Sequence, residues 1–415
     1  MQIEQIKISE LTPYARNAKQ HPDAQVAQIA ASIKEFGFTS PVLINKQNQI
    51  IAGHGRWLAA QRLDINEVPC VRLENLTANQ QKAYGIVDNQ LTMNSPWNDD
   101  LLKLEIGDLD DSDFDIDLLG FDKDFVENLL FEPTEGNCDD DEVPQVDEKN
   151  VWVKPGDMFA LGEHRLLCGD CTVKENVDRL MDGQKADMVF TSPPYAVGVD
   201  YRSYDDTMAN LKEMMPKLSN IWMDIVVTGG YAVINFGDIV KGKSLVGADE
   251  PCEYPMALEY WPVFRADGWV LWSRRIWCKP GAGTGSMQCI SSNRASTNWE
   301  HIWTWKNPGK PLHDKQTTGD YPSQNGWIDS THGHKLGVGL KDHGAGMPVC
   351  VAEYGVSVHA IAGNVVFEPF CGTGTTTIAC EKTGRRAHGM EIDPHYCQVI
   401  IERFEKFTGK THEKI

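Results

Sequence analysis

The sequence predicts an α/β protein with two folded units and an acidic segment between them. A chain of 415 residues is too long for a single compact core. After residue 150, short apolar runs alternate with helical patterns, as they do in a parallel sheet covered by helices. The acidity is concentrated: residues 99–148 hold 20 acids and two lysines, so the rest of the chain carries only about −2 of the net charge of −20. The acidic total therefore does not exclude a nucleic-acid partner for the folded units.

Residues 1–95 are expected to form a small α/β unit. In AQVAQIAASIKEFG the apolar residues recur at helical spacing over Val26–Phe36, and Gly37 follows as a stop signal. PVLINKQNQIIAG predicts two strands around a polar turn, and GHGRWLAAQRL predicts a helix that begins after glycines. A further helix is expected to begin at Thr77, which is followed three residues later by Gln80 as in a capping box.

Residues 96–150 are expected to be an acidic linker with a short helix around Phe121–Leu130. The stretch EPTEGNCDDDEVPQVDEKN has many charges and few large apolar residues, which is the composition of a solvated chain. We therefore expect the linker to keep the domains at residues 1–95 and 151–415 apart and to make no contact with DNA.

Residues 151–415 are expected to form a domain built on a β-sheet. GDMFALGEHRLLCGD favours a hairpin with Gly162 and Glu163 at its turn, and NLKEMMPKLSNIWMDIV favours a helix. Six further runs are strand candidates: ADMVF, GGYAVINFGD, GWVLWSRRIW, HIWTWK, GNVVFEPF and RAHGMEID. The stretch from about 279 to 345 is rich in Gly, Ser, Asn and His, and we expect long loops inserted into the sheet there.

A glycine-rich loop follows a buried strand in NVVFEPFCGTGTTTIACEKTG. Gly372 and Gly374 let the backbone turn sharply and approach a ligand at the carboxyl end of the strand. The next strand ends at Glu391, whose carboxylate can accept hydrogen bonds from both hydroxyls of a ribose. The pyrophosphate fingerprint G-x-G-x-x-G is incomplete, because Thr377 occupies its third glycine position. A nucleoside cofactor without a pyrophosphate, such as S-adenosylmethionine, is therefore expected.

The second unusual stretch is FTSPPY, which follows the apolar run MVF. Two successive prolines cannot continue a sheet ladder and fix their own φ angles, so the backbone between Ser192 and Tyr195 is stiff. Together, FTSPPY and FEPFCGTGTT with GMEID resemble the catalytic motif and the cofactor motif of the β-class DNA amino-methyltransferases. GEHRLLCGDC and GAGMPVCVAEY resemble their flanking blocks, and the resemblance covers residues 150–410.

The resemblance implies a Rossmann-like sheet that binds S-adenosylmethionine and transfers its methyl group to an exocyclic amino group in double-stranded DNA. N4 of cytosine is favoured over N6 of adenine, because Ser192 stands where many relatives have aspartate or asparagine and TSPPY more often accompanies N4-cytosine transfer in that family. The implied catalytic residues are Ser192, Pro193, Pro194 and Tyr195. The implied cofactor-binding residues are Asp170, Thr191, Glu368, Pro369, Phe370, Gly372, Gly374, Thr375 and Glu391. No metal ion is implied, because the methyl group passes directly from sulfonium to nitrogen.

The target amine explains the stiff backbone. Its lone pair is delocalised into the base, so its two N–H bonds must be held by fixed acceptors before the nitrogen becomes nucleophilic. The Ser192 hydroxyl and the Pro193 carbonyl can supply these acceptors without reorganisation. Tyr195 offers a ring on which an extruded base can stack.

Basic residues in the loops at 279–345 and just before them are the DNA contacts that the sequence suggests. Arg274, Arg275, Lys279 and Arg294 are the candidates, and cation contacts with phosphates supply most of the affinity in such interfaces. Most of the neighbouring tryptophans are expected to pack in the core. Cys168-x-x-Cys171 lacks a second pair, so packing is favoured over a zinc site.

The first 95 residues also resemble a known family, the ParB/sulfiredoxin N-terminal domain. In that family the position of GHGRWLAA is a phosphate-binding box, which implies an anion site at Gly53, His54, Gly55 and Arg56. Partition proteins usually have an acidic residue and two arginines in this box. The departure favours a DNA- or nucleotide-binding accessory over nucleotide hydrolysis or nuclease activity.

The composition predicts where the protein is located. The chain is expected to be cytoplasmic with reduced thiols and no membrane partner, because it has eleven cysteines, no apolar run of 18 residues and no signal core. The alternatives are an RNA methyltransferase and a ParB-like nucleotide-gated DNA-binding protein with an inactive transferase. A ParB module joined to a methyltransferase suggests a phage or mobile-element modification enzyme.

Overall fold

A computed structural model describes residues 2–93, 97–110, 112, 114–194, 196, 200–201, 203–241, 252–278, 299–312, 327–329 and 347–415. The chain divides into two compact units, Met1–Leu130 and Phe131–Ile415. In the described part of the chain, no helix is both long enough and apolar enough to cross a membrane.

The N-terminal unit is a four-stranded sheet with helices. Its strands are β1 (Ile3–Lys7), β2 (Val42–Ile44), β3 (Ile50–Ala52) and β4 (Glu67–Arg72), in the order β1-β4-β2-β3. Its helices are α1 (Asp23–Phe36), α2 (His54–Arg62), α3 (Ala78–Met93), α4 (Asp99–Asp110) and α5 (Lys123–Leu130), with short 3-10 helices at Ile8–Glu10 and Ile116–Leu119. Strand β4 pairs antiparallel with β1 and parallel with β2, so residues far apart in sequence close the sheet.

Most of the predicted elements of this unit are confirmed. The first helix ends at Gly37, which has a φ of +76°. The capping box forms in both directions: the Gln80 amide donates to the Thr77 hydroxyl at 3.3 Å, and the Thr77 amide donates to the Gln80 side chain at 2.9 Å. Strands β1 and β4 were not predicted, because neither short stretch has a strong apolar pattern and each depends on the other.

The acidic segment is more ordered than a linker. Helix α5 matches the predicted short helix, but α4 was not predicted. Leu102 and Ile106 lie one helical turn apart in α4 and are buried, so an apolar stripe hidden among acids stabilises this helix. The segment is also divided, because residues up to Leu130 belong to the first unit and residues from Phe131 to the second.

Residues 131–142, which we call the strap, pack on the C-terminal unit. The Asn137 amide donates to the carbonyl of Phe407 at 2.8 Å. The buried carboxylate of Asp141 accepts the amide of Val349 at 2.8 Å, and Asp140 forms an ion pair with Lys382. These acids are held by cationic and amide groups of the domain, so the strap is part of its structure.

Removing the strap is expected to destabilise the C-terminal unit. A chain that begins at Val151 loses the Asp141 bond, which leaves a buried amide unpaired, together with the ion pairs. We expect its free energy of unfolding to be lower than that of a chain beginning at Phe131 by at least about 3 kcal/mol. This difference corresponds to a melting temperature lower by about 6–12 °C for a domain of this size. Thermal unfolding of the two chains measures it, and equal melting temperatures would contradict the structural role of the strap.

The C-terminal unit is built on a ten-stranded sheet. Its strands are β5 (Met158–Leu161), β6 (His164–Cys168), β7 (Ala186–Thr191), β10 (Val226–Phe236), β13 (Val270–Cys278), β14 (Trp299–Lys306), β15 (Trp327–Asp329), β16 (Val365–Glu368), β17 (Arg386–Glu391) and β18 (His412–Lys414). Their order across the sheet is β15-β13-β14-β10-β7-β16-β17-β6-β5-β18. Two small hairpins pair β8 (Asp200–Tyr201) with β9 (Tyr204–Asp205) and β11 (Ile239–Lys241) with β12 (Cys252–Tyr254).

Helices cover both faces of this sheet. They are α6 (Lys174–Met181), α7 (Met208–Ile225), α8 (Ala257–Ala266), α9 (Val349–Ser357), α10 (Thr375–Lys382) and α11 (Pro394–Thr408), and a 3-10 helix lies at Glu148–Asn150. Every predicted strand of this unit is present, and so are the hairpin and the helix over α7. Trp269, Trp277, Trp303 and Trp305 are buried as expected, whereas Trp272 is half exposed.

The sheet is Rossmann-like, as predicted. Strands β6, β17, β16, β7 and β10 run parallel to one another, and β14 is antiparallel to β10. Consequently the carboxyl ends of the parallel strands meet at one edge of the sheet. In open α/β sheets this edge binds the ligand.

Candidate active site

A cavity of about 380 Å³ lies at this edge of the sheet. Its volume is within the range of about 300–1,000 Å³ that is typical of small-molecule sites. The predicted residues that line it are Asp170, Ser192, Pro193, Pro194, Glu368, Pro369, Phe370, Gly372, Thr375 and Glu391. Both motifs found in the sequence therefore meet at one cavity, although 176 residues separate Ser192 from Glu368.

The glycine loop joins β16 to α10. Gly374 has a φ of +83° and directly precedes the helix, and a Cβ at this residue would lie 3.1 Å from the side chain of Ile400. Gly374 therefore allows the loop to pack closely against Ile400, and it does not line the cavity. Gly372 does line it, and its amide points to Glu391.

Glu391 closes the loop against the end of β17. One carboxylate oxygen accepts the Gly372 amide at 2.8 Å and the other accepts the Asp393 amide at 3.0 Å. Each oxygen retains a further lone pair for a ligand in the cavity. Burial raises the pKa of Glu391 to about 7. The arrangement fits a ribose, because two acceptor oxygens are fixed and face the same space.

Glu368 links the loop to the catalytic strand. Its carboxyl group accepts the Thr191 hydroxyl at 2.5 Å, the Thr376 hydroxyl at 2.8 Å and the Phe370 amide at 3.0 Å. Burial raises the pKa of Glu368 to about 8 in spite of these donors. Thr191, which was predicted to bind the cofactor, is buried beneath the cavity and does not line it. It instead ties the end of β7 to the glycine loop.

Asp170 contributes to the cavity from the loop after β6. One of its carboxylate oxygens accepts both the amide and the hydroxyl of Thr172 at 2.8 Å, which closes a turn. Asp170 therefore both closes this turn and lines the cavity. Cys168 and Cys171 are buried free thiols beside it, and Cys171 lines the cavity.

The residues predicted to be catalytic begin directly after β7. This strand lies between β10 and β16, and Ser192, Pro193 and Pro194 extend from its end into the cavity wall. Tyr195 lies outside the described residues. Ala196 is fully buried and has a φ of +60°.

Several wall residues were missed by the sequence analysis. They are Thr172, Tyr204, Asn210, Met347, Asp393 and Tyr396. Asp393 carried a usable signal, because it follows Glu391 by two residues and precedes a proline at a helix start. Tyr204 and Asn210 carried none, since the hairpin β8–β9 and helix α7 bring them to the cavity from outside either motif.

The structure separates the predicted DNA-contacting residues. Arg274 and Arg275 are neighbours on β13, so their side chains point to opposite faces of the sheet. Arg274 is exposed, whereas Arg275 is half-buried and hydrogen-bonds Tyr354. Lys279 and Arg294 lie outside the described residues, as does most of the insert at 279–345.

The predicted phosphate box of the N-terminal unit begins helix α2. Gly53 has a φ of +98° and lies beneath the guanidinium group of Arg56. That group donates to the carbonyls of Ser40 and Pro41, each at 2.9 Å. His54 is buried, its Nε2 accepts the amide of Tyr14 at 3.1 Å, and burial lowers its pKa. The histidine is thus occupied within the protein, and Arg56 retains donors for an anion.

Comparison with known proteins gives a match for each part of the chain. A family described as DNA methylase matches residues 186–402, the ParB N-terminal domain matches 1–90, and the ParB-methyltransferase HTH domain matches 100–155. The ParB-like nuclease domain-containing protein YnaK of Escherichia coli (strain K12) is 51% identical over 75 residues, which are 18% of this chain and 86% of that protein.

Relatives and a solved structure match the C-terminal unit. The Type II methyltransferase M.SmaI of Serratia marcescens is 24% identical over 270 residues, which cover 58% of this chain and 90% of that protein. The structure of a DNA modification methylase from Thermus thermophilus, solved with S-adenosyl-L-methionine, is 26% identical and covers 59% of this chain and 93% of that one, with a TM-score of 0.44.

The DNA methylase match spans just over half of the chain and includes β7, the catalytic motif, the glycine loop and Glu391. The ParB match covers the sheet of the N-terminal unit. S-adenosylmethionine is the cofactor of the DNA methylase family, and the residues around the cavity fit its nucleoside part. The chain therefore belongs to the DNA methylase family and has a ParB N-terminal domain in front of the methylase unit.

Proposed function

We propose that the chain transfers a methyl group from S-adenosylmethionine to N4 of cytosine in double-stranded DNA. N6 of adenine is the alternative target. Ser192 favours cytosine, because TSPPY more often accompanies N4-cytosine transfer in the enzymes that FTSPPY resembles. The observation that carries the proposal is that Ser192 and Pro193 line the same cavity as Glu391 and the glycine loop.

The protein groups at this cavity suit an amine substrate. The Ser192 hydroxyl and the Pro193 carbonyl accept the two hydrogens of the amine and direct its lone pair toward the cavity. The prolines keep both acceptors fixed, so no free energy is spent on reorganisation while charge develops on the nitrogen. Tyr195 is proposed to stack on the extruded base.

The cofactor is proposed to lie between the glycine loop and Asp170. Glu391 would hold the ribose hydroxyls, and the loop from Pro369 to Gly372, together with Thr375, would contact the methionine part. When bound, S-adenosylmethionine supplies an electrophilic methyl group. Glu368 and Thr191 support this arrangement from below, because their hydrogen bond joins the loop to the catalytic strand.

Transfer of labelled methyl to duplex DNA tests the proposed reaction. The full-length protein is incubated with radiolabelled S-adenosylmethionine and genomic or plasmid DNA, and label retained with the DNA is counted. RNA and single-stranded DNA serve as competing substrates for the RNA methyltransferase alternative. Label in duplex DNA supports the proposal, whereas label only in RNA, or in neither nucleic acid, would contradict it.

Affinity for the cofactor is expected to rise with pH. Without ligand, burial raises the pKa of Glu391 to about 7, so the group is mostly protonated at pH 6 and mostly ionised at pH 8. Ribose hydroxyls donate to the ionised form, so binding releases a proton and the affinity should be about tenfold lower at pH 6 than at pH 8. Calorimetry at both pH values measures this change. A wild-type profile that is flat would contradict the assignment, and Glu391→Gln should lose most of the dependence.

The same group acts in the opposite direction on folding of the cofactor-free protein. The folded pKa of Glu391 lies above its ordinary value of 4.5. Its contribution to stability is therefore fully present below pH 4.5 and is lost as the pH rises through about 7. Cofactor binding offsets this loss at neutral pH.

The ParB N-terminal domain is proposed to be a DNA- or nucleotide-binding accessory. Its anion site would consist of Arg56 and the amides after Gly53. Helix α2 begins at these amides, and helix N-termini favour anions. A nucleotide-gated DNA-binding protein with an inactive transferase is the rival of another class, and DNA methylation by the wild-type chain decides against it.

Replacing Arg56 by alanine is expected to weaken DNA binding and to reduce its salt dependence. Loss of one phosphate contact should lower the slope of log affinity against log salt by about 1. Arg62→Ala is the matched control, since it removes the same charge from the last turn of the same helix. Fluorescence anisotropy over a series of salt concentrations gives both slopes, and an equal slope for Arg56→Ala and wild type would contradict the anion site.

A further inference from the structure

The residue that follows the catalytic motif has an unusual backbone. Ala196 is 0% exposed and has a φ of +60°, in the left-handed region that alanine rarely adopts. Such a conformation persists only where surrounding groups hold it. The alanine methyl group cannot form a hydrogen bond, so any hydrogen bond that fixes this conformation at Ala196 is made by its backbone.

Asp206 is a partner of the Ala196 backbone. One of its carboxylate oxygens accepts the Ala196 amide at 2.8 Å, and the residue is 4% exposed. Hydrogen bonds from an amide to a buried carboxylate are short and strong. The bond joins two residues that are ten positions apart in the sequence, and Ala196 lies two residues after Pro194.

The far end of the segment 196–206 reaches the cofactor side of the cavity. Hairpin β8–β9 carries the chain back to Asp206. Ser203 and Tyr204 in this hairpin line the cavity, and the Ser203 hydroxyl lies 3.5 Å from the carboxylate of Asp393. The segment therefore connects the catalytic motif to the wall that follows Glu391.

The hydrogen bond to Asp206 matters because of the position of Ala196 in the chain, directly after the catalytic motif. The amide that Asp206 accepts belongs to the peptide unit between Tyr195 and Ala196. On the other side of Tyr195, Pro193 and Pro194 restrict the backbone. The motif thus contains a restricted backbone at its two prolines and is followed directly by an amide that Asp206 anchors.

We propose that Asp206 is a positioning residue for methyl transfer, which holds the catalytic motif by anchoring the turn at Ala196. The inference rests on the proposed function, because it concerns the placement of Ser192 and Pro193 at the substrate amine. Asp206 acts through the backbone and not through contact with the substrate. Its loss should therefore affect the transfer step more than cofactor binding.

Three variants of the full-length protein separate geometry from charge. Asp206→Asn keeps an oxygen acceptor at the same distance and removes the charge. Asp206→Glu keeps the charge and moves the acceptor by one methylene group. Asp206→Ala removes the acceptor. Asp187→Ala is the matched control, since the Asp187 carboxylate accepts the Val365 amide at 2.7 Å near the opposite end of β7.

Single-turnover methyl transfer to duplex DNA and calorimetric binding of S-adenosylmethionine are the two measurements. We expect the transfer rate constant to fall at least about tenfold in Asp206→Ala and Asp206→Glu, because small misplacements of reacting groups have effects of this size or larger. Asp206→Asn should remain within about threefold of wild type, and cofactor affinity should change by less than about threefold in every variant. Asp187→Ala should transfer methyl at the wild-type rate.

Several results would overturn this inference. If Asp206→Ala folds poorly, the comparison of Asp206→Asn with Asp206→Glu decides the question. Equal rates for those two variants, or a loss of rate matched by an equal loss of cofactor affinity, would contradict positioning. An active wild type with an equally active Asp206→Ala overturns this inference alone, whereas a wild type that transfers no methyl group overturns the proposed function.

Discussion

Replacing Ser192 by alanine is expected to lower the rate constant for methyl transfer about 10²–10³-fold. The substitution removes one of the two acceptors proposed for the target amine, and this acceptor is needed most as the nitrogen becomes tetrahedral. Cofactor affinity should be nearly unchanged, because the hydroxyl stabilises the transition state and not the bound cofactor. Single-turnover transfer at saturating DNA and cofactor measures the rate constant, and calorimetry measures the affinity.

Ser219→Ala is the matched control for this change. Ser219 is a buried serine on helix α7 whose hydroxyl has no hydrogen-bond partner among the described residues and does not line the cavity. Its removal should leave the transfer rate constant unaltered. If Ser192→Ala were as active as Ser219→Ala, the hydroxyl would have no role in the reaction and the proposed mechanism would be wrong.

Replacing Glu391 by alanine is expected to lower the affinity for S-adenosylmethionine at least about 10²-fold. Two causes act together. The ribose loses both of its proposed acceptors, and the amides of Gly372 and Asp393 lose the carboxylate that holds the glycine loop against β17. Calorimetry at pH 8, where the wild-type carboxyl group is mostly ionised, gives the largest difference.

Glu391→Gln separates the two causes. The glutamine retains one oxygen that can accept the Gly372 amide, but it offers a donor where the ribose needs a second acceptor. We expect an affinity between those of wild type and Glu391→Ala. Unchanged affinity in Glu391→Ala would show that the ribose lies elsewhere and would remove the assignment of this carboxylate.

The sheet of the C-terminal unit was predictable because its signals are local. β16 and β7 are short apolar runs with no exposed residues, and each is followed by residues that end a strand. The position of Glu391 followed from the same logic, since it ends the next strand after the glycine loop. Local patterns of this kind are sufficient when both faces of a strand are buried.

The strap was not predictable from local pattern. Its composition is that of a solvated chain, and distant partners such as Lys382 and Val349 make the packing of Asp140 and Asp141 favourable. Strands β1 and β4 were not predicted for the same reason, because they pair with each other across 60 to 68 positions of the sequence. In these cases the stabilising contacts lie far away in the sequence.

The two motifs of the candidate site were predicted, whereas the residues that hold these motifs in place were not. Thr191 was expected to touch the cofactor, yet it lies beneath the cavity and holds Glu368 across 177 residues. Tyr204 lies in a hairpin that has no motif of its own, and Asp206 directly follows that hairpin. Sequence patterns mark the groups that face a ligand, whereas the groups that hold them in place are set by tertiary contacts.

Mass spectrometry of nucleosides identifies which base and which atom the protein methylates. Duplex DNA is incubated with the protein and S-adenosylmethionine that carries a deuterated methyl group, and the DNA is then digested to nucleosides. We expect one new product, N4-methyldeoxycytidine with the deuterated methyl group, and about 10²–10³-fold slower formation of this product with Ser192→Ala. Only N6-methyldeoxyadenosine would contradict the choice of cytosine and leave amino-group transfer standing. Methylation of cytosine at carbon C5, or no methylated nucleoside at all, would contradict the account as a whole.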